Sequence, residues 1–240
     1  MTPKRRFLNA EWRNLVMLNY PVDPSILSGR VPSGCELDSW RGETFVSMVG
    51  FQFLHTRVLG VPIPFHRHFE EVNLRFYVRH KAEGAWRRGV VFVKERVPRS
   101  AIAWVARHVY GENYEALSMR HDVRTTGPET TASYGWRRRG AWEGLSATYS
   151  GEPTLTGDDA EETFISEHYW GYSRQRDGST VEYQVEHPRW RVWRAIAASL
   201  QCDVATLYAP EFAEPLSGEP TTAFVADGSA VVVRQGERLS

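Results

Sequence analysis

Phe69-Glu70-Glu71-Val72-Asn73-Leu74-Arg75-Phe76-Tyr77-Val78-Arg79 alternates with period two from Glu71 onward. Its odd positions are Glu71, Asn73, Arg75, Tyr77 and Arg79, while Val72, Leu74, Phe76 and Val78 fill the even ones. This is the pattern of a β-strand with an apolar face and a polar one. A half-buried strand ordinarily shows water a mixture of Thr, Ser, Lys and Glu. Here the polar face carries a carboxylate, an amide, a guanidinium and a phenol in register, so it is expected to line a cavity.

Working outward, His80-Lys81-Ala82-Glu83-Gly84-Ala85 closes a hairpin into a strand over Gly89 to Val97. On the N-terminal side, two strands are expected between Glu36 and His55 around Arg41-Gly42-Glu43, preceded by a short helix at Asp23-Pro24-Ser25-Ile26-Leu27. Pro98 stops the Gly89 to Val97 strand, and Ser100 caps a helix from Ala101 to Tyr110 that Gly111 closes. Tyr114 to Thr125, Ala132 to Arg139 and Ala141 to Tyr149 then read as antiparallel strands. Thr163 to Arg174 turns through Asp177-Gly178 into Thr180 to His187. A second helix is expected over Val192 to Leu200, resuming toward Tyr208, and a last hairpin joins Thr221 to Val225 with Ala230 to Arg234 through Asp227-Gly228. The class is α+β, mainly antiparallel β, with two or three helices in one domain over residues 1–240. A strand whose inner face is polar fits a closed or cone-shaped barrel around a ligand.

Acidic and basic residues balance at 29 each, so no overall field draws the chain to nucleic acid or to an anionic membrane. Apolar runs such as Leu15-Val16-Met17-Leu18 are too short to span a bilayer, and Lys4-Arg5-Arg6 precedes no signal-type stretch, so a cytosolic protein is expected. Cys35 and Cys202 stand apart, without metal-ligand spacing or a disulfide framework. The expected partner is a small molecule, with a carboxylate as the chemical candidate. No cofactor is expected, and no sequence signal sets an oligomeric state.

Glu71, Asn73 and Arg75 put a base, a hydrogen-bonding amide and an anion clamp along one strand face at steps of about 7 Å. The trio suits a carboxylate or enolate; the competing reading is a buried network in which Arg75 neutralises Glu71 and Tyr77 donates to either. Amine catalysis has three candidates, since only Lys4, Lys81 and Lys94 are lysine. Of these Lys94 alone avoids a tail or a turn, and it shares strand parity with Val90, Phe92 and Arg96. It is the catalytic amine candidate if that face points inward beside Arg96, the competing reading being an exposed strand-end lysine. His66-x-His68-x-Glu70 sets two imidazoles and a carboxylate on one side of an extended segment, with His168 or His187 as a further ligand, but a loop after Pro64 more commonly carries solvated histidines. Glu167 to Tyr172, including Tyr169, and the corner His187-Pro188-Arg189-Trp190 are expected to form another wall of the cavity, or else to fill core.

The succession Phe69-x-Glu71-Val72-Asn73-Leu74-Arg75-x-Tyr77-Val78, Gly89-Val90-Val91-Phe92, Ala106-Arg107-x-x-Tyr110-x-x-x-Tyr114-x-x-x-x-Met119 and Tyr183-x-Val185-x-His187-Pro188-x-Trp190 resembles the YqjF-like family, grouped with the acetoacetate decarboxylase-like superfamily. The resemblance runs from about Trp12 to Arg234. It implies a double-sheet β-cone around a small-molecule pocket, and it adds Tyr77, Tyr110, Tyr114, Met119 and His187 to Asn73 and Arg75 as ligand-binding candidates. Decarboxylases of the superfamily keep a glutamate at the place of Glu71, facing a Schiff-base lysine in a Gly-x-Pro-Lys-Lys segment. The equivalent Gly111-Glu112-Asn113-Tyr114-Glu115 has no lysine. The function implied is binding of a small carboxylate or oxo acid, or lyase or hydro-lyase chemistry with Glu71 as base.

Overall fold

The computed structural model describes residues 4–62, 67–98 and 113–239. Its strands are β1 (Arg6–Val22), β2 (Cys35–Leu37), β3 (Thr44–Val58), β4 (Val61–Pro62), β5 (Phe69–Ala82), β6 (Ala85–Val97), β7 (Tyr114–Ala116) and β8 (Met119–Thr126). They continue as β9 (Glu129–Arg138), β10 (Ala141–Ser150), β11 (Trp170–Arg174), β12 (Thr180–Glu186), β13 (Val192–Arg194), β14 (Ala197–Gln201), β15 (Thr222–Arg234) and β16 (Glu237–Arg238). The helices among the described residues are short: Ser25–Ser28, Glu161–Ser166, Val204–Leu207 and a 3-10 turn at Pro210–Phe212. None is long and apolar enough to cross a membrane.

The larger sheet closes on itself. Its strands run β1–β3–β5–β6–β11–β12, and β15 pairs with both β12 and β1 to complete a barrel. Most neighbours are antiparallel; β11 runs parallel to β6 through Trp170 and Gly171. A second antiparallel sheet, ordered β14-β10-β9-β8, covers one side of it. Both faces of β5 are therefore buried. Val72, Leu74, Phe76 and Val78 pack with Ala132, Tyr134, Trp136 and Leu145 between the two sheets. A separate core, containing Leu15, Val49, Phe51, Phe53, Phe69 and Tyr77, fills the barrel around the other face. Each aliphatic or aromatic side chain so removed from water contributes about 1.5–3 kcal/mol before entropy is counted.

Two glycines admit close approaches, one between the sheets and one within the barrel. A Cβ on Gly50 would stand 2.6 Å from the Tyr134 ring, so the bare backbone of β3 is what allows β9 to seat its tyrosine there. The Tyr134 hydroxyl continues past it to donate to the Asn14 carbonyl at 2.8 Å. Gly228 has φ +79° and lies against the Trp12 carbonyl oxygen, 2.0 Å from where a Cβ would sit.

Three expected elements differ. Thr221 to Arg234 is not a hairpin: β15 is one strand paired along β1 from Asn19 to Arg6, and Asp227-Gly228 is a bend within it. The long β1 offers a partner over that whole length, which outweighs the local turn signal of Asp-Gly. Val192 to Leu200 is strand rather than helix, divided between β13 on β15 and β14 on β10. Its alanines favour a helix, yet Ala198 and Leu200 pack on the inter-sheet core while Ala197, Ser199 and Gln201 are exposed, a period of two imposed by the edge of β10. Thr163 to Arg174 splits into the helix Glu161–Ser166, which buries Phe164 and Ile165 and has two carboxylates in its first turn, and β11. The helix expected over Ala101 to Tyr110 lies outside the described residues.

The bend at Gly228 yields a test. Gly228→Ala places a methyl group against backbone in a left-handed conformation and is expected to cost at least about 2 kcal/mol, read as a lower thermal midpoint. An unchanged midpoint would contradict the close approach to Trp12.

Candidate functional site

A cavity of about 210 Å³ occupies the barrel. Its walls are mainly apolar, with Trp12, Leu15, Phe51, Phe53, Phe69, Phe92 and Trp190 among them. Against these stand Glu71, Asn73, Arg75, Glu95, Tyr114, Ser166, His168 and His187. The polar face of β5 thus points inward because the barrel closes around it.

Glu71 is 2% exposed. Asn73 Nδ2 donates to its Oε1 at 2.9 Å and the Tyr114 hydroxyl to its Oε2 at 3.1 Å. Burial lifts its carboxyl to about 7, although Asn73, Tyr114 and Arg75 each pull the other way. Burial first, and the charge of Glu71 next, raises the Tyr114 phenol well above its ordinary value.

The Arg75 guanidinium is held from behind. Its Nε donates to the Tyr77 hydroxyl at 3.4 Å, and one terminal nitrogen reaches the Ile165 carbonyl at 3.3 Å. Ser47 donates to Asn19 Oδ1 at 2.6 Å, so its 2.6 Å contact with Tyr77 is donated by the phenol, leaving the phenol oxygen to accept from Arg75. Tyr77 does not line the cavity and acts as a support. Among the described residues no carboxylate comes within 4.0 Å of the Arg75 nitrogens, so Glu71 and Arg75 share the cavity without forming an ion pair.

Lys94 faces away from the cavity, contrary to the simple parity of β6. Arg75 pairs with Phe92 but Leu74 pairs with Lys94, so Val93 is an extra residue that reverses the alternation. Beyond this bulge Glu95 turns inward beside Asn73. Lys94 and Arg96 turn outward, Lys94 to within 3.7 Å of Glu115 and Arg96 to donate to the Leu207 carbonyl at 2.9 Å. Lys4 reaches Glu237 and Lys81 lies by Trp86, so none of the three lysines lines the cavity.

The other candidates divide. Tyr114 and His187 line the cavity; Tyr169 does not, and its ring lies tilted against His187 with centres 4.7 Å apart. Met119 instead packs on the inter-sheet core, since β8 belongs to the second sheet. Tyr110 and His66 lie outside the described residues. His68 meets His55, and Glu70 faces His121 at 3.7 Å, so the two diverge. Among the described residues no group of three or more His, Cys, Asp or Glu side chains is placed to hold a metal. Glu95 and Ser166 carry no signal in the sequence that marks them as cavity residues. His168 and His187 are both held near 4, chiefly by burial, so each imidazole is neutral at ordinary pH.

A closed, mainly antiparallel barrel backed by a second sheet is the acetoacetate decarboxylase-like fold. Acetoacetate decarboxylase from Legionella pneumophila subsp. pneumophila str. Philadelphia 1 superposes with a TM-score of 0.64 at 14% identity, over 99% of this chain and 88% of that one. The enduracididine biosynthesis enzyme MppR, complexed with pyruvate, gives 0.69 at 14% identity over 100% and 92%. Within this fold the chain belongs to the DUF2071 family of uncharacterized conserved proteins, whose model matches residues 9–230. The uncharacterized protein YqjF of Bacillus subtilis (strain 168) is 41% identical over 73 residues, a stretch that spans 30% of this chain and 30% of YqjF.

The buried ionisable groups set a pH dependence. Glu71 keeps its proton to a higher pH folded than unfolded, so its contribution to stability is full below about 4.5 and is lost as pH rises through about 7. His168 and His187 act oppositely: their contribution is full above about 6.5 and is lost as pH falls through about 4. Glu71→Gln removes only the first effect. Relative to wild type, the variant should gain more than about 1 kcal/mol between roughly pH 5 and pH 8 in denaturant titrations; a difference independent of pH would count against a raised Glu71.

Proposed function

We propose that the barrel cavity binds a small carboxylate such as an oxo acid, with Arg75 as the anion clamp and without imine chemistry. One observation carries this reading: an arginine in the cavity wall, oriented by Tyr77 and Ile165, with no acidic partner within 4.0 Å among the described residues. A guanidinium in a largely apolar cavity gains most from a ligand that brings the missing anion. The aromatic walls suit a short apolar body behind the carboxylate. MppR, whose fold this chain shares, has been captured with pyruvate, which supports an oxo acid as the first ligand to try.

A second reading is favoured by Glu71. A carboxyl raised to about 7 exchanges a proton readily at neutral pH, and Asn73 and Tyr114 hold it in one orientation. On this reading the protein is a lyase or hydro-lyase: Glu71 takes a proton from the carbon next to the carboxylate that Arg75 holds, and the developing negative charge stays beside the guanidinium. The electron pair left on that carbon forms a double bond as the leaving group departs from the neighbouring carbon, as hydroxide in the hydro-lyase case. The requirement for a lysine does not arise, because the carbanion or enolate is held by charge and hydrogen bonds instead of by an iminium.

Calorimetric titration with pyruvate and 4-methyl-2-oxopentanoate tests the clamp. Arg75→Leu should weaken binding about 10- to 100-fold, the loss of a charge-assisted hydrogen-bonded pair, and undiminished affinity would remove Arg75 from the site. Borohydride reduction with either oxo acid should leave the intact mass unchanged; an adduct on any lysine would restore imine chemistry.

A further inference from the structure

A line of hydrogen bonds leads from Arg75 in the cavity wall to a carboxylate outside it. Arg75 Nε donates to the Tyr77 hydroxyl at 3.4 Å, Tyr77 to Ser47 Oγ at 2.6 Å, and Ser47 to Asn19 Oδ1 at 2.6 Å. Asn19 Nδ2 then donates to Thr222 Oγ1 at 3.0 Å, and the Thr222 hydroxyl donates to Glu161 Oε1. The line crosses β5, β3, β1 and β15 and ends on the helix Glu161–Ser166. That helix also brings the Ile165 carbonyl to Arg75 at 3.3 Å, so one helix holds the guanidinium twice.

Every proton in the line is used once, and all point the same way. A guanidinium only donates and a carboxylate only accepts, so the two ends impose one direction on the groups between them. With the Thr222 proton committed to Glu161, its oxygen is left to accept, which turns the Asn19 amide so that Nδ2 faces Thr222 and Oδ1 faces Ser47. Ser47 must then donate to Asn19 and Tyr77 to Ser47, and the phenol oxygen presents its lone pairs to Arg75. A reversed amide would have Ser47 donate to Tyr77 and would aim the phenol proton at a cation. Asn19, Ser47 and Tyr77 are buried, so bulk water does not compete for these groups. Burial raises the Glu161 carboxyl, and the bond from Thr222 favours its ionised form.

We infer that Glu161, through Thr222, Asn19, Ser47 and Tyr77, positions the Arg75 guanidinium and so sets the affinity of the cavity for an anion. This rests on the carboxylate reading and adds how the clamp is held. A carboxylate in contact with Arg75 would occupy the clamp; one connected through aligned hydrogen bonds orients it from the Nε side and leaves other N–H groups for a ligand. Aligned hydrogen bonds polarise one another, so the loss of one link weakens the rest. Glu161, Thr222 and Asn19 are positioning residues, and none of them lines the cavity.

Thr222→Val removes the hydroxyl at nearly constant shape, and Thr222→Ser keeps it. In calorimetry on the intact chain, Thr222→Val should weaken pyruvate binding about three- to tenfold, the effect of one hydrogen bond, while Thr222→Ser stays within about twofold of wild type. Binding of uncharged methyl pyruvate should change in neither. Thr222→Val combined with Tyr77→Phe should lose no more than about what Tyr77→Phe loses alone, since a broken line transmits nothing further. Unchanged pyruvate affinity in Thr222→Val, or losses that multiply in the double variant, overturns the inference. Nitrogen NMR of the unliganded protein supplies a test that needs no ligand: the Arg75 Nε–Hε resonance should move in Thr222→Val and return in Thr222→Ser. A resonance unmoved by Thr222→Val overturns the inference as well. A resonance that moves while wild type binds no acid, or binds pyruvate as well after Arg75→Leu, overturns the carboxylate reading and leaves the positioning of Arg75 standing.

Discussion

The structure depends on the burial of both faces of β5. Val72, Leu74, Phe76 and Val78 need an apolar cover, and the second sheet provides it through Ala132, Tyr134, Trp136 and Leu145. Glu71, Asn73 and Arg75 need the opposite, a space that is enclosed yet polar, and the closed barrel provides that. A carboxylate taken from water is costly unless hydrogen bonds replace its hydration. Asn73 and Tyr114 supply two such bonds to Glu71. Barrel closure through β12 and β15 is therefore an electrostatic matter as well as a topological one, because an open sheet would hydrate Glu71 and abolish its raised pKa.

The polar wall is organised by supports that stand outside the cavity. Arg75 is oriented by Tyr77, which is oriented in turn by Ser47 and Asn19 on β3 and β1. His168 is oriented by Asp38, which Arg88 and the Ser39 amide hold. These chains of polar contacts orient side chains of the wall in a way that no single strand could. They also keep Arg75 off Glu71. Had the two formed an ion pair, the guanidinium would be neutralised within the protein.

One extra residue decides which side chains of β6 enter the cavity. Val93 shifts the parity of β6, turning Glu95 inward beside Asn73 and sending Lys94 and Arg96 to the outer face. Without that bulge Lys94 would enter the cavity beside Arg96, the arrangement in which a lysine loses its proton and becomes a nucleophile. With it, all three lysines of the chain sit elsewhere.

The alternation of β5 is local and repeats over many residues, so the sequence alone was enough to determine its strand, its two faces and the kinship that goes with Glu71, Asn73 and Arg75. Short turns such as Glu83-Gly84 were legible for the same reason, since each is a property of two or three residues. Tertiary structure decided what depends on a distant partner. The alanine-rich Val192 to Leu200 became strand because β10 and β15 had edges to fill, and Asp227-Gly228 became a bend because β1 continues past it. Glu95 entered the site through a bulge. That is not encoded in the period of its own segment: side-chain direction past a bulge is settled only when strands far apart in sequence pair.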